Sequence, residues 1–142
     1  MIDMIKEYFG AMLSRGATTF WEDFDLDWMI NSGRIDEVVP EGMVDIHGDY
    51  GNYCYIKFRH SLCHGWASGP TAWMIEHVLG VEVVEAGGKV VRITPHLGNL
   101  HWAKGSFPTP YGDIIISHER KADGSVKSKI DAPRGVKVIR GE

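Results

Sequence analysis

The chain has 142 residues, 44% of them hydrophobic and 24% charged, with a formal net charge of −4. This leaves room for one ordinary domain or two small units, and the apolar content rules out wholesale disorder. Lysine and arginine are scattered rather than gathered into a stripe, and no apolar run approaches a membrane span, so neither nucleic acid nor a membrane is an expected partner.

Met1-Ile2-Asp3-Met4-Ile5-Lys6-Glu7-Tyr8-Phe9 lacks a basic start, a continuous apolar stretch and a small-residue cleavage site. It does not read as a signal peptide, and the expected location of the chain as it stands is cytoplasmic. The two cysteines, Cys54 and Cys63, do not make a disulfide framework. Five Trp, five Tyr and five Phe, many beside Gly and Asp, suit either a loop-rich core or a cleft that stacks rings on sugars.

Residues 1 to about 14 are predicted to form an amphipathic helix. Ile2, Ile5, Phe9, Met12 and Leu13 share one face, and Gly16 stops it. Ala17-Thr18-Thr19-Phe20-Trp21-Glu22-Asp23-Phe24-Asp25 then packs rings between acids without a clean period. It reads as a short segment buried through Phe20 and Trp21 with Glu22 solvated at its end. The other reading sets Glu22 in a ring-walled pocket, where desolvation tunes a carboxyl for acid/base work.

Residues 26 to 58 carry Gly33, Pro40, Gly42, Gly48 and Gly51 and are expected to be a long irregular excursion. Within it, Asp45-Ile46-His47-Gly48-Asp49-Tyr50-Gly51 reads first as a cluster of turn formers, and second as hydroxyl-binding groups at a cleft rim. Residues 60 to 80 are predicted helical in their second part, with Ser68 as cap, Pro70 in the first turn and Gly80 at the end. Trp73, Met74, His77 and Val78 share a face there. His60 and His64 stand four apart, as metal ligands on a helix do, but no acidic partner sits at a recognised spacing, and no metal or other cofactor is expected.

From Val81 the pattern changes to short β-prone runs: Val81–Val84, Val90–Thr94, Asp113–His118, Ser125–Ile130 and Lys137–Ile139. Gly and Pro separate them, and Lys121-Ala122-Asp123-Gly124-Ser125 is a strong hairpin signal. The pattern predicts a small antiparallel β-sandwich. His101-Trp102-Ala103-Lys104-Gly105 reads as a strand or a ligand loop, with Trp102 packed in the core.

Four stretches in this order carry a resemblance: Thr18-Thr19-Phe20-Trp21-Glu22; Ser61-Leu62-Cys63-His64-Gly65-Trp66-Ala67-Ser68-Gly69-Pro70-Thr71; Ile93-Thr94-Pro95-His96-Leu97-Gly98; and Ala103-Lys104-Gly105-Ser106-Phe107-Pro108-Thr109-Pro110-Tyr111-Gly112. Together they resemble the C-terminal end of bacterial α-L-rhamnosidases of the glycoside hydrolase family 78 type. The resemblance implies an α+β chain. Residues 1–80 would be the last helices of an (α/α)6 six-hairpin barrel, and residues 81–142 a trailing β-sandwich. It implies an inverting mechanism with two carboxyl groups. Glu22 matches the general base and His64 a histidine that contacts the sugar, while Trp21 and Trp66 help shape the pocket.

The family's general acid lies upstream of the region this chain resembles. The expectation is therefore a fragment with little activity alone, whose partner is a rhamnose-containing glycoside. Exposed barrel helices would favour a homo-oligomer. The alternatives are a non-catalytic carbohydrate-binding module using Trp102 and Tyr111, and a structural module without a ligand.

Overall fold

A computed structural model describes residues 1–49 and 61–141. The chain divides into two compact units, Met1–Pro70 and Thr71–Glu142. Tyr50, Gly51, Cys54 and His60 lie outside the described residues.

The first unit is built on helix α1 (Ile2–Ser14). Its end is a Schellman turn: Gly16 takes φ +89°, its N–H donates to Leu13 O at 3.0 Å, and Ala17 N–H returns to Met12 O at 3.1 Å. This turn brings Ala17 over Met12, and both are buried with Trp21, Phe24 and Ile46. Tyr8, Phe9 and Ala11 pack against that cluster. Leu13, expected on the inner face, is instead 66% exposed. The core lies on the side to which the turn folds back, and Leu13 points away from it.

The excursion that follows is irregular, as expected, but it is tied down. Arg15 reaches from the end of α1 to Ser32 Oγ and Met29 O, both at 3.0 Å. Asn31 adopts a left-handed φ of 53°, donates to Gly42 O at 2.8 Å and accepts from Val44 N at 2.8 Å. The one-turn helix α2 (Ile46–Asp49) closes the described part of this stretch.

In the second unit, helix α3 (Gly69–His77, its first residues belonging to the first unit) begins with Pro70 in its opening turn. Ser68 is not its cap: the hydroxyl donates to Gly65 O at 2.6 Å, inside a preceding 3-10 turn, Gly65–Ser68. Strands β1 (Val81–Val83), β2 (Val90–Ile93), β3 (Trp102–Thr109), β4 (Gly112–Arg120), β5 (Val126–Asp131) and β6 (Lys137–Arg140) follow. They form two three-stranded sheets, ordered β1-β2-β6 and β3-β4-β5. Val81, Val91 and Ile93 from one sheet and Ile114 and Ile116 from the other share a single core with Leu79, so the expected sandwich is present.

Two features depart from the sequence reading. β6 runs parallel to β2, because the chain passes through the whole second sheet before returning. β3 takes up 102–105, read as a strand or a ligand loop, and extends to Thr109 through Pro108, where the sequence suggested a turn. β3 is an edge strand, and a proline is tolerated where one ladder side has no partner.

Gly80 joins α3 to the sandwich. It has φ +72°, its carbonyl accepts from Thr94 N at 2.9 Å, and any Cβ there would collide with the Thr94 carbonyl. Gly80→Ala is therefore expected to cost at least about 2 kcal/mol, read as a lower urea midpoint.

His118 is fully buried on β4. Its Nε2 lies 3.1 Å from Leu79 O, a group that can only accept, so Nε2 carries the hydrogen. Nδ1 then accepts from Ser128 Oγ at 2.8 Å. Burial pushes the imidazole pKa down, against a smaller upward pull from the Leu79 carbonyl. The unfolded chain thus takes up this proton first as pH falls. The stability from His118 is present above the unfolded-state pKa of about 6.5 and lost below it. Unfolding midpoints should fall between pH 7.5 and 5, with a shallower slope in His118→Phe.

Candidate functional site

The sequence-predicted residues of the first unit are gathered by one backbone pairing. Glu22 N–H donates to Ser61 O at 2.8 Å, and His64 N–H donates to Phe20 O at 2.8 Å. The Thr19 hydroxyl donates to Leu62 O. Segments about 40 positions apart in sequence are thus paired, Thr19–Glu22 against Ser61–His64.

Burial of rings fixes the base of this pairing. Trp21 is 1% exposed and meets Phe24 edge to face at 5.6 Å. Phe24 in turn meets Tyr8 at 5.2 Å, and the Tyr8 hydroxyl donates to Phe24 O at 2.5 Å. Burial, helped by the Asp23 and Asp25 carboxylates, pushes the Tyr8 phenol up. Trp21 therefore presents no free ring face. What it does is support the segment that carries Glu22.

Glu22 is half-buried, and its Oε2 accepts from Ser61 N–H at 3.0 Å. That bond orients the carboxylate. Among the described residues Oε1 takes no hydrogen bond, so it can accept from a water or a hydroxyl. His64 is half-buried, with its ring edge-on to Trp66 at 6.1 Å and 90°. Trp66 itself is 95% exposed, a free aromatic face beside a histidine.

Asp45 and Asp49 are each tied into a local turn. Asp45 Oδ1 accepts from His47 N at 2.9 Å and Asp49 Oδ2 from Asp45 N at 2.9 Å, so both close the turn of α2. Among the described residues no group of three His, Cys, Asp or Glu side chains is placed to hold a metal ion.

Trp102 lies outside the core, contrary to expectation: it is 61% exposed at the start of β3. Alternation along β3 turns Ala103 and Phe107 inward and Trp102 outward. Tyr111, 41% exposed, sits beyond the other end of the same strand, against Gly135. The two rings are not a continuous row.

Residues 80–139 match the family described as "Bacterial alpha-L-rhamnosidase C-terminal domain". The chain carries a bacterial α-L-rhamnosidase C-terminal domain. It is 33% identical over 114 residues to an alpha-L-rhamnosidase of Alteromonas sp. (strain LOR), a match covering 79% of this chain and 10% of the relative. The structure of a GH78 family rhamnosidase of Bacillus sp. GL1 superposes with a TM-score of 0.69 at 28% identity, over 99% of this chain and 13% of that one. An α-L-rhamnosidase from Dictyoglumus thermophilum shares the fold, with a TM-score of 0.59 at 24% identity, over 92% of this chain and 12% of that one. The chain thus spans about a tenth of the length of the relatives it matches.

Removing the Glu22 carboxylate leaves the Ser61 amide without its charged acceptor. In Glu22→Ala, hydrogen exchange at Ser61 is expected to speed up about tenfold or more. Unchanged exchange would mean that the carboxylate does not hold this amide in solution.

Proposed function

We propose that the first unit supplies the general-base side of an inverting α-L-rhamnosidase site. Its helices are, in this reading, the last of an (α/α)6 barrel. The observation that carries the proposal is the anchored carboxylate: one oxygen of Glu22 is fixed on the Ser61 amide, and among the described residues the other takes no hydrogen bond. A base so held can take the proton of a water as that water attacks the anomeric carbon. A general acid on the opposite face protonates the leaving oxygen in the same step. His64 contacts a sugar hydroxyl, and the exposed Trp66 ring offers a surface for a pyranose or its aglycone.

The acid belongs, in this proposal, to the part of the relatives that this chain does not span. Half of such a site is nearly inert, because acid assistance alone is worth about 10²–10⁴-fold. Met4 and Leu13 are exposed on opposite sides of α1, apolar side chains left for the remainder of a barrel or for a second copy to cover. A non-catalytic carbohydrate-binding role has its own support in the outward Trp102.

Alone, the chain is expected to hydrolyse an aryl α-L-rhamnoside no faster than its Glu22→Gln variant. Turnover abolished by that substitution would overturn the fragment reading. Grafted in place of the matching segment of the Bacillus sp. GL1 rhamnosidase, the chain should sustain hydrolysis. Glu22→Gln should then lower kcat about 10²–10⁴-fold. Equal rates would remove Glu22 as the base.

A further inference from the structure

The outer face of the β3-β4-β5 sheet carries a patch that the proposed hydrolytic site does not use. Register places Trp102 across from Glu119, and Glu119 across from Lys127. The neighbouring row is Lys104, Ser117 and Lys129. Trp102, Lys104, Glu119, Lys127 and Lys129 are all exposed. Lys104 Nζ lies 5.7 Å from the centre of the Trp102 ring. Among the described residues, Lys104, Lys127, Lys129 and Glu119 make no ion pair.

Three features narrow what such a surface fits. A single exposed indole on a flat sheet offers a stacking face for one pyranose ring. Three lysines against Glu119 and, one row further, the exposed Asp131 leave these rows net positive, which selects an anionic ligand by charge complementarity. Glu119 stands in the middle of the patch and can only accept when ionised. It suits the hydroxyls of a sugar and opposes the closely spaced phosphates of a nucleic acid. The patch runs about 10 Å across the strands and about 7 Å along them, a surface for short saccharides.

We propose that this face binds a uronate-bearing saccharide. Trp102 stacks on the C–H face of one pyranose, displacing the Lys104 ammonium from the ring. Glu119 accepts from hydroxyls, and Lys104, Lys127 and Lys129 hold the carboxylate of the same or the adjoining residue. The site is independent of Glu22 and stands or falls apart from the hydrolytic reading.

Affinity electrophoresis of the whole chain tests it, in gels containing polygalacturonate, the same polymer with its carboxyls reduced to alcohols, dextran sulfate, or RNA. Retardation by polygalacturonate and not by the reduced polymer is expected. Kd should rise about tenfold or more in Trp102→Ala and in the paired variant Lys127→Gln/Lys129→Gln, and stay unchanged in Glu22→Gln. These side chains are exposed, so the variants keep the fold, which an unchanged thermal midpoint verifies. No retardation by polygalacturonate would overturn the proposal. So would equal retardation by the reduced polymer, or binding of dextran sulfate or RNA as strong as that of polygalacturonate and indifferent to Trp102→Ala.

Discussion

The first unit depends on the pairing of Thr19–Glu22 with Ser61–His64 over a buried tryptophan. Each hydrogen bond is modest in net worth, about 1 kcal/mol. Four of them in parallel, two along the backbone, one from Thr19 and one to the Glu22 carboxylate, fix a register. The register then decides chemistry. It fixes one carboxylate oxygen, leaves the other without a hydrogen bond among the described residues, and pairs the segment of Glu22 with that of His64. Trp21, adjacent to Glu22 in sequence, does the opposite job. Its burial against Phe24 holds the segment from behind. Adjacent residues thus divide into one that is buried and one whose carboxylate holds a neighbouring amide.

The second unit obeys a different constraint, the close approach at Gly80. Thr94 and Gly80 come so near that no side chain fits, and this contact brings the end of α3 onto the first strands. Leu79, next to it, contributes its side chain to the core and its carbonyl to buried His118. A polar ring is thereby accommodated in an apolar interior with both nitrogens satisfied, which is what a buried imidazole needs to stay neutral. Arg120 does similar work at the rim, where Nη2 donates to Gly98 O at 2.7 Å and fixes the loop before β3.

The two units place aromatic residues in contrasting ways. In the first, rings form an edge-to-face chain from Phe9 through Tyr8 and Phe24 to Trp28, and they make the core. Trp66 and Trp102, by contrast, stand in water. Exposed tryptophans forgo a large hydrophobic gain, since covering one contributes about 2–4 kcal/mol. That stabilisation becomes available to whatever covers them, and a pyranose with its apolar C–H face is one such group.

Much of this was legible in the residues. Period 3.6 marked α1 and most of α3, period 2 and β-branched runs marked five of the six strands, and Asp123-Gly124 marked the hairpin, because these signals depend only on neighbours in the chain. The motif containing Trp21-Glu22 and the motif containing His64 carried the family resemblance. What local pattern could not decide was direction and side. Leu13 fits the apolar face of α1 by spacing, yet the Schellman turn puts the core elsewhere. Trp102 looks like a core residue by type, yet its place in the alternation of β3 turns it outward. β6 reads like any short strand, and only the path of the whole chain makes it parallel to β2. The sequence by itself determined which segments are helical or extended and which carboxylate and histidine to watch. Tertiary structure alone decided which face each side chain meets and which oxygen of Glu22 the Ser61 amide holds, because both are set by contacts between residues far apart in the chain.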